Sequence, residues 1–101
     1  MIIHETVKQV IEGSAFLTLV TVNADGTPHP IIAGKGEVSG DQVTFGIYKM
    51  EQTQKNLLQN NHAWIVGATM AEGPQGFRLS GTAAVRDKQL IFTATQADKL
   101  I

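Results

Sequence analysis

Four apolar residues near the start of the chain, Ile3, Val7, Val10 and Ile11, recur at i, i+4, i+7 and i+8, one stripe of a short helix that Gly13 can end. The spacing then drops to two. Ala15 to Val22 (AFLTLVTV) is rich in β-branched residues and apolar on both faces. Phe16, Val20 and Val22 lie on one face and Leu17 and Leu19 on the other, the pattern of a strand covered on both sides. Asn23-Ala24-Asp25-Gly26 tolerates positive φ, so Thr27 to Val38 is predicted to return antiparallel, with Pro28 and Pro30 confining its start to a sheet edge. Ser39-Gly40-Asp41 turns the chain again, and Gln42 to Ile47 points Val43, Phe45 and Ile47 inward.

Helical spacing reappears at Met50, Thr53, Leu57 and Leu58, predicting a second short helix at about Glu51 to Asn60, with Asn60-Asn61 suited to a left-handed cap. His62 to Met70 is again apolar on both faces, Ala71 to Gly76 is a flexible connection, Phe77 to Val85 alternates, and Lys88 to Thr95 gives a last strand. Six strands with two short helices lack the crossover helices of a parallel sheet, so the pattern predicts a small antiparallel barrel. The two doubly apolar strands need cover from a helix or a second subunit, and so small a chain points to a homodimer.

At 101 residues the chain is read as one domain, 1–101, and 43% hydrophobic against 17% charged residues excludes whole-chain disorder. Eight basic and nine acidic residues give a net charge of -1 without runs of like charge, which argues against nucleic acid. No apolar stretch approaches the ~20 residues that span a bilayer. Glu5 and Glu12 in the first thirteen residues are foreign to a signal peptide, so a soluble, cytoplasmic protein is expected. Without cysteine there are no disulfides, thiolate metal sites or cysteine nucleophiles. His4, His29 and His62 fall on different elements without metal-ligand spacing, and Ser14, Ser39 and Ser80 lack a nucleophile elbow and read as surface hydroxyls. Gly34-Lys35-Gly36 lacks the rest of a nucleotide fingerprint, and Trp64 and Phe77 fit core or interface better than a stacking platform.

One stretch says more. Val43 to Asn61, VTFGIYKMEQTQKNLLQNN, runs strand, polar loop and helix, flanked by N-A-D-G-T-P-H-P upstream and G-F-R-L-S-G-T-A-A-V downstream. In this order the chain resembles the FMN-binding split barrel of the pyridoxamine 5′-phosphate oxidase superfamily, most of all its small stand-alone bacterial FMN-binding proteins. The resemblance implies a mainly β fold, a six-stranded antiparallel split β-barrel of Greek-key type with two short helices. It implies a homodimer holding FMN at the subunit interface, the flavin phosphate near Gln52 and Thr53, and the isoalloxazine along Ile31, Ile32, Ala33 and Gly34 and against Gly46 and Ile47.

Departures accompany the likeness. Relatives usually carry an Arg or Lys where this chain has Gln52, and the oxidases a Lys at the position of Thr53 and a basic residue at that of Ile31. Ile32, Ala33 and Gly34 replace polar and aromatic flavin contacts, leaving the backbone to serve. Lys49, Lys55 and Lys35 lie close in sequence to the missing cations and are candidates to restore the charge. The oxidases' C-terminal Arg and Trp segment has no counterpart before Ile101, so oxidation of pyridoxamine phosphate is not expected. The resemblance therefore implies a small flavoprotein, an electron carrier or a weak flavin-dependent oxidoreductase, with the flavin supplying the chemistry. The alternative is a relative without flavin that binds another planar ligand, such as haem, or serves as a structural dimer.

Overall fold

A computed structural model describes residues 1–101. The elements follow the order α1 (Glu5–Gly13), β1 (Leu17–Val22), β2 (Pro28–Ala33), β3 (Glu37–Ser39), β4 (Gln42–Gly46), α2 (Glu51–Gln59), β5 (His62–Thr69), β6 (Gln75–Arg86) and β7 (Gln89–Lys99). All strand pairs are antiparallel, in the order β2-β1-β5-β6-β7-β4-β3, so the sheet is mainly β and split-barrel-like, with β2 and β3 as open edges.

There are seven strands rather than the expected six, because Thr27 to Val38 is not continuous. β2 pairs with β1 as far as Leu17↔Ala33, and the chain then leaves that neighbour and resumes beside β4 at Glu37↔Thr44. Gly36 makes the passage possible. It is buried, and a Cβ there would lie 2.8 Å from Val43 Cγ1 and 2.9 Å from Leu17 Cδ1. The glycines of Gly34-Lys35-Gly36 thus serve a close approach across the core.

Alternation along the strands fills the inner face with Leu17, Leu19, Ala63, Ile65, Leu79, Leu90 and Phe92, and α1 adds Val7 and Ile11 to the same cluster, with Ile3 from the segment just ahead of it. Each of the larger side chains contributes about 1.5–3 kcal/mol by leaving water. Ser14, expected at the surface, is buried at the end of α1 and donates from Oγ to the Val10 carbonyl (2.6 Å). β7 runs on to Lys99, past the expected end at Thr95, because a bulge between Ser80 and Gly81 lets β6 keep pairing beyond it. At Gly81 a Cβ would fall 1.9 Å from the Thr93 carbonyl oxygen, so no other residue fits without moving the strand.

Two carboxylate tethers fasten the N-terminal segment and α1 to the sheet. Asp41 Oδ1 accepts the Ile2 and Ile3 N–H groups (2.8 and 3.0 Å), seating the segment ahead of α1, and Glu12 Oε2 accepts the Val38 N–H (2.9 Å), fastening edge strand β3 to α1. The donors around Asp41, the Ile3 N–H foremost, hold its carboxyl below the usual carboxylate range. On the outer face of β2, β1 and β5, Val20, Val22, Trp64 and Val66 are only half-buried, and Phe16 and Ile32 are each 68% exposed. Their registers, Ile32↔Thr18↔Val66 and Pro30↔Val20↔Trp64, make these residues one apolar surface. No helix covers it. No helix of the chain is long and apolar enough to cross a membrane.

Candidate functional site

The polar loop after β4 sets the start of α2. Lys49 (φ 65°) and Met50 (φ 47°) both adopt the left-handed conformation, uncommon for residues with side chains. The left-handed backbone expected after α2, at Asn60-Asn61, is therefore found before it, and Asn60 is extended, its N–H bonded to the Asn56 carbonyl (2.8 Å). Met50 offers no side-chain cap, and the first backbone bond of the helix is Gln54 N–H to Met50 O. The N–H groups of Glu51, Gln52 and Thr53 have no acceptor. Such a turn carries partial positive charge and open donors.

Thr53 is fully buried, and its Oγ1 has no hydrogen-bond partner. A helical Thr hydroxyl ordinarily bonds the carbonyl four residues back. Here that carbonyl, of Lys49, accepts Gln54 Nε2 instead (2.9 Å). Gln52 is exposed and donates from Nε2 to Asn56 Oδ1 (2.8 Å). Buried Asn56 in turn donates from Nδ2 to Thr21 Oγ1 (3.1 Å) in β1 and to Asn23 Oδ1 (2.9 Å) in the β1–β2 turn. Asn23, Ala24, Asp25, His29 and Gln52 line an open recess of about 490 Å³. Asp25 in its wall has its carboxyl held below the usual range by the Thr27 hydroxyl first and the Thr27 N–H second.

The remaining expected residues spread around this corner. Ile31 and Ile47 are half-buried against the core cluster, and Met50 packs there with them. Ala33 is buried, so it offers a ligand only backbone, whereas Gly34, Gly46 and Ile32 are exposed. Because β2 is an edge strand, one row of its N–H and C=O groups is left unpaired by the sheet. None of Lys35, Lys49 and Lys55 lines the recess, and Lys49 Nζ lies over the Tyr48 ring, 5.6 Å from its centroid. The single ion pair of the molecule, Arg78–Asp98 (3.2 Å), is exposed on β6 and β7. Sequence reasoning missed Asn56, Thr21, Asn23, Asp25 and His29 as members of this corner. Asn56 carried the one usable signal, an amide four residues beyond Gln52 on the inward side of a helix.

For a flavin phosphate these residues fit by donors rather than by charge. Three open N–H groups suit phosphate oxygens, and the unpartnered Thr53 hydroxyl lies buried beneath them without lining the recess, while no Arg or Lys lines it either.

Comparison with known proteins follows the same line. HupZ from Group A Streptococcus has a similar structure, with a TM-score of 0.82 at 19% identity over 99% of this chain and 94% of that one, and a point variant of HupZ gives 0.83 at 18% over 98% and 100%. An FMN-binding protein from Syntrophomonas wolfei gives a TM-score of 0.77 at 12% identity, over 93% of this chain and 83% of that one. At these identities the likeness is one of fold. No curated protein sequence matches the chain significantly. The sequence matches the family described as pyridoxamine 5′-phosphate oxidase over residues 3–98, nearly the whole chain. With that match resting on a split-barrel-like sheet and an open α2 turn, the chain belongs to the pyridoxamine 5′-phosphate oxidase family.

Proposed function

We propose that the protein is a small homodimeric flavoprotein that binds FMN at the subunit interface and works as an electron carrier or a weak flavin-dependent oxidoreductase in the cytoplasm. The observation that carries this reading is the first turn of α2, where the N–H groups of residues 51–53 and the buried Thr53 hydroxyl all lack acceptors. Open N–H groups occur at any helix start, α1 included, but a fully buried hydroxyl without a partner is rare, and a phosphate group would satisfy both together. When bound, the flavin supplies the redox chemistry. The chain's own residues bind and orient it. The α2 turn holds the phosphate, Lys49 and Lys55, outside the recess, offset part of its charge at a distance, and Ile31, Ile32, Ala33, Gly34, Gly46 and Ile47 give the ring an apolar and backbone-lined seat.

The outer face of β2, β1 and β5 supports the dimer, since its apolar residues lack cover within one chain. Titration by quenching of flavin fluorescence tests the whole reading. FMN is expected to bind clearly more tightly than riboflavin, with an advantage that shrinks as salt rises, because a phosphate contact is screened and ring stacking hardly is. Equal affinities at low salt would refute the phosphate assignment. Sedimentation near twice the chain mass is expected, and a monomer at micromolar concentration would remove the interface site.

A second reading, a family member without flavin that binds another planar ligand such as haem or serves as a structural dimer, draws on the recess lacking Arg and Lys and having Asp25 in its wall. The visible absorbance of the freshly purified protein distinguishes the two, because oxidised flavin and haem absorb in different bands.

A further inference from the structure

The side chains around the α2 turn form a directed chain of hydrogen bonds. Gln52 donates to Asn56 Oδ1 (2.8 Å), Asn56 to Asn23 Oδ1 (2.9 Å), Asn23 Nδ2 to Thr27 Oγ1 (3.1 Å), and the Thr27 hydroxyl to the Asp25 carboxylate. The direction is dictated from the Asp25 end. An ionised carboxylate only accepts, so Thr27 must give it the hydroxyl hydrogen and take one from the Asn23 amide. Asn23 must then turn its oxygen to Asn56, and Asn56 its oxygen to Gln52. Thr21 stands outside this order, accepting the second Asn56 hydrogen as a side branch (3.1 Å). Three members, Asn23, Asp25 and Gln52, also line the recess.

We propose that Asn56 and Asn23 are positioning residues, which fix the Gln52 carboxamide against the start of α2 in one orientation set by Asp25. Gln52 then keeps its Oε1 and one amide hydrogen for a ligand in the recess, and the β1–β2 turn is wired to the α2 turn through side chains alone. The consequence for ligand selection rests on the flavin reading above. An oriented amide distinguishes FMN from riboflavin at the phosphate end, and a freed one does so less well, because ordering a loose glutamine on binding costs affinity.

The test compares Asn23→Ala, which breaks the relay, with Thr21→Val, which removes only the side branch although Thr21 is the more deeply buried of the two. In the ligand-free protein, the Gln52 side-chain amide resonances in a 1H–15N NMR spectrum should shift in Asn23→Ala and stay in place in Thr21→Val. In flavin titrations, Asn23→Ala should lower the FMN-to-riboflavin affinity ratio about fivefold, and Thr21→Val by less than about twofold, even if Thr21→Val melts earlier. Unmoved Gln52 resonances in Asn23→Ala, or equal effects of the two variants, would overturn the relay whether or not flavin binds. Shifted resonances in a protein that binds neither flavin would uphold the relay and reject the flavin reading instead.

Discussion

Replacing Thr53 by valine separates a hydroxyl kept for folding from one kept for a ligand. In the ligand-free protein this hydroxyl is fully buried and bonds to nothing, so the folded state bears its desolvation without return. That burden is about 1–3 kcal/mol for a neutral polar group. Valine keeps the β-branched shape and nearly the same helix propensity, so neither the packing of α2 nor its intrinsic stability changes much. Thr53→Val should therefore stabilise the ligand-free protein by about 1–2 kcal/mol, which for a chain of this size raises Tm by roughly 4–8 °C per kcal/mol. The same variant should weaken FMN about tenfold, as the ligand loses a donor. Urea melts followed by Trp64 fluorescence, with and without FMN, measure both effects. Gain of stability alone with loss of FMN affinity is the signature of a waiting donor. If Thr53→Val lowers stability by more than about 0.5 kcal/mol, the hydroxyl has a partner in the folded protein and the reasoning is wrong.

Three further outcomes are expected. Gln52→Lys places a cation at the uncharged helix start and should tighten FMN about tenfold, ~1.4 kcal/mol, with riboflavin unchanged in parallel titrations. Gly81→Ala forces a Cβ onto the Thr93 carbonyl and should cost about 3 kcal/mol or more in a urea melt, while Gly34→Ala, in open space, should cost less than about 1 kcal/mol. The Asp41 carboxyl is held low by the Ile3 and Ile2 N–H groups, so its contribution is complete above the ordinary carboxylate pKa of about 3.9 and fades as pH falls through its lower folded value. Protection of the Ile2 and Ile3 amides from hydrogen exchange, taken relative to the unprotected rate at each pH, should therefore hold down to about pH 4 and fall below it, whereas Asp41→Asn should lower it at neutral pH; unchanged protection in Asp41→Asn would show that the tether does not depend on the carboxylate.

The amino-acid sequence determined what local chemistry can determine. Periodicity set the second helix to within a residue and ended the first at Gly13, although Ile3 of the first stripe lies just ahead of α1 and Leu58 of the second is turned to solvent. The Asn-Ala-Asp-Gly turn and the alternation of β4 likewise left little choice, since a slip of one residue would turn Val43 and Phe45 to solvent. The doubly apolar β1 and β5 already announced a face needing outside cover, and the structure leaves that face uncovered within one chain. The motif order around Val43 to Asn61 carried the family resemblance that the match over residues 3–98 establishes.

Tertiary structure decided the rest, because the deciding contacts join residues far apart in the chain. Whether Thr27 to Val38 forms one strand or two depends on Gly36 meeting Leu17 and Val43, and where β7 ends depends on a bulge opposite Gly81. The Thr53 hydroxyl reads as a donor from its place in the first turn, but that it is fully buried and unpartnered follows only from the packing around α2. Asn56 looks like one more polar helical residue until β1 and its turn bring Thr21 and Asn23, 35 and 33 positions away, within hydrogen-bond reach. A side chain's partners follow from the sheet's register and the crossing of helix on strand, and no local pattern encodes either one.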